Sequence, residues 1–259
     1  MKVKAGCEIT VEAAEDCPSV AMLRPRSGQA QWLSKESYLF EPWVRTTEHV
    51  DSFGNLCQRM VIPKGRMHIR VEAEVETDEL IATGADVDPT PVGSLPDDAM
   101  QFLLPSRYCP SDRCEDRAEE IVGGAAPGYA QVEALRAWIH DNIEYRYGVS
   151  NQGTDALETL EQGAGVCRDY SHVGISLCRS LRIPARMVVG YLYLLDPMDL
   201  HAWFEAYLGG RWYTFDATQS EPRGGRVVLA YGRDAADVAF LTNYGSLETV
   251  NMRVWVEKC

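Results

Sequence analysis

The sequence predicts an α+β protein, in which an N-terminal antiparallel β-sandwich precedes a set of helices packed on a second antiparallel β-sheet. Three observations carry this. Val3, Ala5, Cys7, Ile9 and Val11, and again Met67, Ile69, Val71, Ala73 and Val75, alternate with polar neighbours, as half-buried strands do. Between residues 126 and 181 the apolar spacing changes to three and four, the helical period. From residue 185 onward strand-like runs return, two of them joined by Gly209-Gly210, a hairpin signal.

Taken in order, the first third reads as short strands separated by turn signals. Tyr38 to Val44 is aromatic-rich and interrupted by Pro42, which suits an edge or bent strand. Asp51-Ser-Phe-Gly-Asn55 and Pro63-Lys64-Gly65 are turns. Residues 84–98 (GADVDPTPVGSLPDD) lack periodicity and divide the chain into a β-rich N-terminal domain over 1–90 and a second domain over 100–259. Three helices then follow a short acidic one around 115–122. Val132, Leu135, Trp138, Ile139 and Ile143 form the stripe of the first, and His140 falls off it, towards solvent. A short second helix starts near Gly153 or Thr154 and stops at Gly163. The third opens at Cys167 and stops before Pro184, with Tyr170, Gly174, Leu177, Cys178 and Leu181 facing the core.

Composition narrows the function classes. At 259 residues with 46% hydrophobic and 24% charged, the chain has the balance of an ordinary globular protein, long enough for one large or two unequal domains. A net charge of -13 argues against a nucleic-acid partner, which calls for a basic face. No apolar run approaches the 18 or so residues of a membrane helix and no signal-peptide core is present, so no membrane role is expected and the cytoplasm is the default compartment. Eight scattered cysteines in such a chain read as reduced thiols. Cys109 and Cys114 lack a paired CxxC or a His partner, and His49 and His68 lack a second ligand at metal-like spacing, so these read as surface or core residues.

Chemistry concentrates at two places. Gly163 and Gly165 free the backbone to turn just ahead of Cys167, which puts the thiol at the start of a helix, where unpaired N–H groups and the dipole stabilise a thiolate. The bland alternative is a small residue opening a core helix. Downstream, a two-residue Gly209-Gly210 loop pairs Leu208 with Arg211 and Tyr207 with Trp212, and by extension Trp203 with Asp216 and His201 with Thr218. Alternation then sets His201 and Asp216 on one face as diagonal neighbours, roughly 7–8 Å apart at the backbone and within hydrogen-bond reach. A three-residue loop would put the pair on opposite faces and leave two ordinary polar residues. Cys167, His201 and Asp216 thus make a nucleophile, a base and the group that orients the base. His172 is no substitute base, since five residues along a helix it points about 140° from Cys167.

The strings GVCRDYSHVGISLCRSLRIPARMVVGYL (165–192) and HAWFEAYLGGRWYTFDAT (201–218) closely resemble the transglutaminase-like superfamily, in particular its bacterial members described as cysteine peptidases. LPSRYCPSD (104–112), GRDAADVAF (232–240) and the β-rich first third extend the resemblance to nearly the whole chain. It implies a papain-like core with Cys, His and Asp in that chain order, which falls on Cys167, His201 and Asp216. It also implies acyl transfer at amide bonds of a peptide or protein substrate; hydrolysis is expected over transamidation because nothing in the sequence visibly excludes water or builds an amine site, and no metal or organic cofactor is needed. The aromatic residue that supports the oxyanion in eukaryotic transglutaminases lies upstream of the cysteine and maps to no particular residue of this chain. The rival readings are a transamidase, a catalytically silent peptide-binding module, and a zinc protein using Cys167, His201 and a further cysteine.

Overall fold

The computed structural model describes residues 1–28, 31–84 and 86–259; Ala85, inside the stretch read as a domain boundary, lies outside the described residues. The first six strands are β1 (Lys2–Ala13), β2 (Cys17–Ala21), β3 (Gln31–Glu41), β4 (Thr47–Val50), β5 (Leu56–Ile62) and β6 (Gly65–Thr77). Helices α1 (Asp97–Met100), α2 (Glu115–Val122) and α3 (Tyr129–Asn142) follow. Next come β7 (Glu144–Tyr145), α4 (Ala156–Gln162), β8 (Ala164–Gly165) and α5 (Cys167–Ser180). The chain closes with β9 (Ala185–Leu192), β10 (His201–Leu208), β11 (Arg211–Phe215), β12 (Arg226–Gly232), β13 (Leu241–Asn243) and β14 (Leu247–Lys258).

Two four-stranded antiparallel sheets make the sandwich, in the orders β14-β1-β6-β3 and β13-β2-β5-β4. The alternating residues of β1 and β6 face inward, Val3 opposite Val75 and Ile9 opposite Ile69, and meet Cys17, Ala21, Met60 and Ile62 of the other sheet in one core. The edge position expected for the aromatic strand is realised, since β3 pairs only with β6. A pairing the period-two reading did not contain is that of the last two strands. Beyond residue 240 the chain returns to the sandwich, adding β13 to β2 and β14 along the length of β1. The sandwich is therefore built from both ends of the sequence.

The second sheet, β11-β10-β9-β12, is antiparallel and carries the helices on one face. All eight residues of β9 are buried, and Ala202, Phe204 and Ala206 of β10 share a core with Ile175, Leu177 and Cys178 of α5. Helix and strand come close because position 174 is glycine: a Cβ there would stand 2.5 Å from the Phe204 ring. The hairpin has the two-residue loop, with both glycines at positive φ (54° and 87°) and Tyr207 opposite Trp212. Two helical details differ from the sequence reading. The N-cap of α4 is Asp155, whose carboxylate takes the Leu157 and Glu158 N–H groups, rather than Gly153 or Thr154. His140 is half-covered, with Nδ1 3.0 Å from the Ala217 carbonyl oxygen, because the loop after β11 folds back over α3. Among the described residues no helix is long and apolar enough to cross a membrane.

Candidate active site

Cys167 is the first residue of α5, half-buried, and the turn before it is tightly fixed. The fully buried Asp169 carboxylate accepts the Val166 N–H at 2.9 Å from three residues ahead, the backbone half of a capping box. Arg168 grips the other carboxylate oxygen from Nε and Nη2, at 3.0 and 2.8 Å. The approach requires glycine at 165, where a Cβ would lie 2.7 Å from that of Asp169. Being first in the helix, the Cys167 N–H has no intrahelical acceptor.

His201 opens β10 and is buried. Its Nε2 lies 2.7 Å from Oδ2 of Asp216, and an ionised carboxylate only accepts, so Nε2 carries the proton. This leaves Nδ1 as the basic nitrogen, and the Cys167 thiol is near enough to act on the ring. Burial pulls the imidazolium down, but the Asp216 charge and hydrogen bond, followed by the thiol, outweigh it and raise the ring to about 9. The β10–β11 ladder ends at Phe204 and Phe215, so Asp216 stands just past the last pair instead of within it. It still reaches His201, because its own turn holds it: Oδ1 accepts the Thr218 N–H at 3.1 Å and the Thr218 hydroxyl at 2.7 Å.

Arg226 completes the arrangement. From β12 it donates Nη2 to Asp216 Oδ2 at 2.9 Å, the oxygen already facing His201. Burial pushes the Asp216 carboxyl up, yet His201 and Arg226, with hydrogen bonds from His201 and Thr218, hold it well below the usual carboxylate range. The guanidinium also lies over the Trp203 ring, 4.8 Å from its centroid. Asp199 sits beside His201, but its Oδ1 accepts the Leu200 N–H at 2.7 Å, and the carboxylate hydrogen-bonded to the ring is that of Asp216. His172 points elsewhere, as its helical angle requires. It is fully buried, stacked on Tyr108 at 5.1 Å, accepts the Ala235 N–H at Nε2, and is pushed by burial down to about 3.

The spacing of the sequence missed two residues here. Arg226 is one, since nothing local ties it to Asp216. Tyr145 is the other. Parallel pairing of β7 with β8 sets Tyr145 opposite Gly165, two residues before the thiol. Burial, then the neighbouring Cys167 thiol, raises its phenol far above the ordinary value, which puts the hydroxyl beside the start of α5. A two-residue strand leaves no periodicity to read. Among the described residues, no three His, Cys, Asp or Glu side chains converge to hold a metal ion.

A helix opening with cysteine, laid across an antiparallel sheet that carries histidine and aspartate in that chain order, defines a papain-like α+β core. Residues 115–217 match the model of the transglutaminase-like superfamily core, and residues 11–78 that of the bacterial transglutaminase-like N-terminal region. A crystal structure of a candidate cysteine protease from Cytophaga hutchinsonii superposes with a TM-score of 0.94 at 36% identity, covering 99% of this chain and 90% of that one. An uncharacterised protein of Mycobacterium leprae is 28% identical over 252 residues, 92% of this chain and 90% of its own length. The chain belongs to the transglutaminase-like superfamily, with the N-terminal region of its bacterial members.

Proposed function

We propose that the protein is a cysteine hydrolase of amide bonds in peptides or proteins, working through Cys167 as nucleophile, His201 as acid and base, and Asp216 as the group that orients His201. The observation that carries this reading is the His201 ring held through Nε2 by Asp216 Oδ2 at 2.7 Å, with the Cys167 thiol, at the start of α5, close enough to raise the ring. Such an arrangement is what an activated thiol needs.

The thiol passes its proton to His201 Nδ1, and the thiolate attacks the amide carbon. The C–N bond then breaks, and the imidazolium protonates the departing amine, leaving a thioester on Cys167. His201 next takes a proton from water as it attacks the thioester carbon, which releases the acid and returns the proton to sulfur. Asp216 stays ionised throughout, held by Arg226 and Thr218. The oxyanion falls to the Cys167 N–H, with the Tyr145 hydroxyl, beside the start of α5, donating alongside it.

The test is a peptide carrying a glutamine side-chain amide and a scissile backbone amide, incubated with and without a primary amine and followed by mass spectrometry. Hydrolysis leaves a free acid whether or not the amine is present. Incorporation of the amine in place of the acid would replace hydrolase by transamidase, and no product under either condition would overturn the catalytic reading.

A further inference from the structure

Arg226 bears on His201 as well as on Asp216. The aspartate oxygen that accepts from His201 at 2.7 Å also accepts from Arg226 at 2.9 Å, so the two donor nitrogens stand within roughly 6 Å of each other. A positive charge at that range weakens the hold of an imidazolium on its proton. An oxygen already bonded to one cation also attracts the next less strongly. All three side chains are buried, with His201 2%, Asp216 6% and Arg226 6% exposed, so water and salt screen little of this.

Asp216 keeps its direction without Arg226, because Oδ1 is fixed by the N–H and the hydroxyl of Thr218. What Arg226 adds is a charge, and that charge is firmly seated. Nε donates to the Arg223 carbonyl at 2.9 Å, and the guanidinium lies over the Trp203 ring. Glycine at 190 leaves room for the indole, since a Cβ there would stand 3.1 Å from it. Among the described residues, Asp216 is the one carboxylate within ion-pair distance of Arg226, and Nη1 is buried without an acceptor. The nearby acids are engaged elsewhere or lie in solvent. Glu133 of α3 pairs with Arg136 at 2.7 Å, and Glu205 of β10 with Arg186 at 2.6 Å. Glu221 and Asp78 are exposed, and Arg223 turns its own guanidinium to the Gln219 side chain. The ring of His201 otherwise faces the Cys167 thiol from α5 and half-buried Asp199, whose Oδ1 takes the Leu200 N–H.

We propose that Arg226 is a positioning residue for proton transfer: by sharing Asp216 Oδ2 with His201 it keeps the imidazolium from being held too tightly, so that the ring releases its proton to the departing amine. In that step the electron pair of the C–N bond goes to nitrogen, the Nδ1 proton passes to the same nitrogen, and the ring is left neutral with its Nε2 proton on Asp216. A general acid works best when its proton affinity lies near that of its surroundings, and Asp216 alone would carry His201 past that point. The role in amine departure rests on the hydrolase reading, whereas the effect of Arg226 on the ring is a property of the folded protein.

The experiment follows the His201 ring by NMR across pH in the full chain labelled with nitrogen-15 histidine. Arg226→Gln keeps a donor but not the charge, and the midpoint of the ring rises by roughly one pH unit. Arg226→Lys returns it towards the native value. Loosening of Asp216 alone would move the midpoint down, so the sign separates this role from a structural one. On a peptide amide, Arg226→Gln lowers kcat severalfold with KM nearly unchanged. A p-nitrophenyl ester, whose leaving group needs no proton from the ring, is not slowed. Arg226→Met serves as the second neutral variant where Arg226→Gln does not fold. A midpoint unchanged or lowered in a folded neutral variant, or equal slowing of ester and amide, overturns the assignment. Failure of the hydrolase reading shows differently, as a native protein that turns over neither substrate while its ring midpoint still rises in the neutral variant.

Discussion

His201 and Arg226 meet on one oxygen: Oδ2 of Asp216 takes His201 Nε2 at 2.7 Å and Arg226 Nη2 at 2.9 Å. The aspartate is thus held ionised by a cation that does not itself touch the nucleophile. The imidazole is held by Nε2, which turns Nδ1 to the thiol.

Asp216→Asn keeps the size of the side chain and its Thr218 contacts but can offer His201 a donor in place of an acceptor. The ring then loses the bond that keeps the proton on Nε2, and turnover falls by roughly 10⁴, the scale found when a triad aspartate is replaced in serine proteases. Steady-state kinetics check this beside the thermal midpoint, which changes little. Turnover near the native rate would transfer the orienting role to another carboxylate, Asp199 first.

The pH dependence follows from the sign of the His201 shift. The ring is raised to about 9 in the folded protein, above the 6.5 of an unperturbed histidine. A raised histidine adds stability in full below the unfolded value and loses it as pH climbs through the folded one. The thermal midpoint of the native protein therefore exceeds that of His201→Ala by most below pH 6.5, and the gap closes towards pH 9. Activity that depends on the thiolate–imidazolium pair follows a bell whose alkaline limb lies near 9, its limbs belonging to the pair and not to one residue. Asp216→Asn moves that limb to lower pH, because the charge that raises the ring is gone.

Tyr145→Phe removes a hydroxyl beside the start of α5 and leaves the ring contacts with Tyr147 and Tyr170 in place. Loss of one oxyanion donor lowers kcat by roughly 10²–10³. The expected signature is a fall in kcat with KM nearly unchanged, since the contact matters most when the oxygen carries charge. A KM effect alone would make Tyr145 a binding residue.

The placing of Cys167 at a helix start and of His201 against Asp216 was legible in the sequence because each lies on a short-range signal. Two glycines and a helical stripe mark Cys167, and a two-residue loop fixes the register that relates His201 to Asp216. The ladder stops one residue before Asp216, and it is the Thr218 turn, which has no period, that brings the carboxylate to His201. Arg226 and Tyr145 were not legible, because each meets its partner through a pairing of distant segments, β9 with β12 and β7 with β8, that leaves no local pattern. For the same reason the return of β14 to β1 escaped a reading that takes elements in chain order. His140 is off the apolar stripe, as helical periodicity places it, and the loop that half-covers it has no period.

The last prediction concerns which thiol reacts. Burial raises Cys7 and Cys114 to about 11, Cys109 to about 12, and Cys57 and Cys178 upward as well, while Cys17 is buried. A buried neutral thiol is a poor nucleophile at neutral pH. Cys259, exposed at the C-terminus, sets the rate of an accessible thiol in the same molecule. Cys167 is only half-buried, at a helix start and beside His201, so brief treatment with iodoacetamide near pH 7 labels Cys167 ahead of Cys259 and leaves the other six thiols intact. Peptide mapping reads the order directly. Turnover falls in step with Cys167 modification, and Cys167→Ser abolishes it with little change in thermal midpoint, since oxygen replaces sulfur at nearly equal volume. Labelling of Cys109 or Cys178 first, or full turnover after Cys167 is blocked, would remove the nucleophile from the proposed mechanism and leave a papain-like core that recognises peptides without cleaving them.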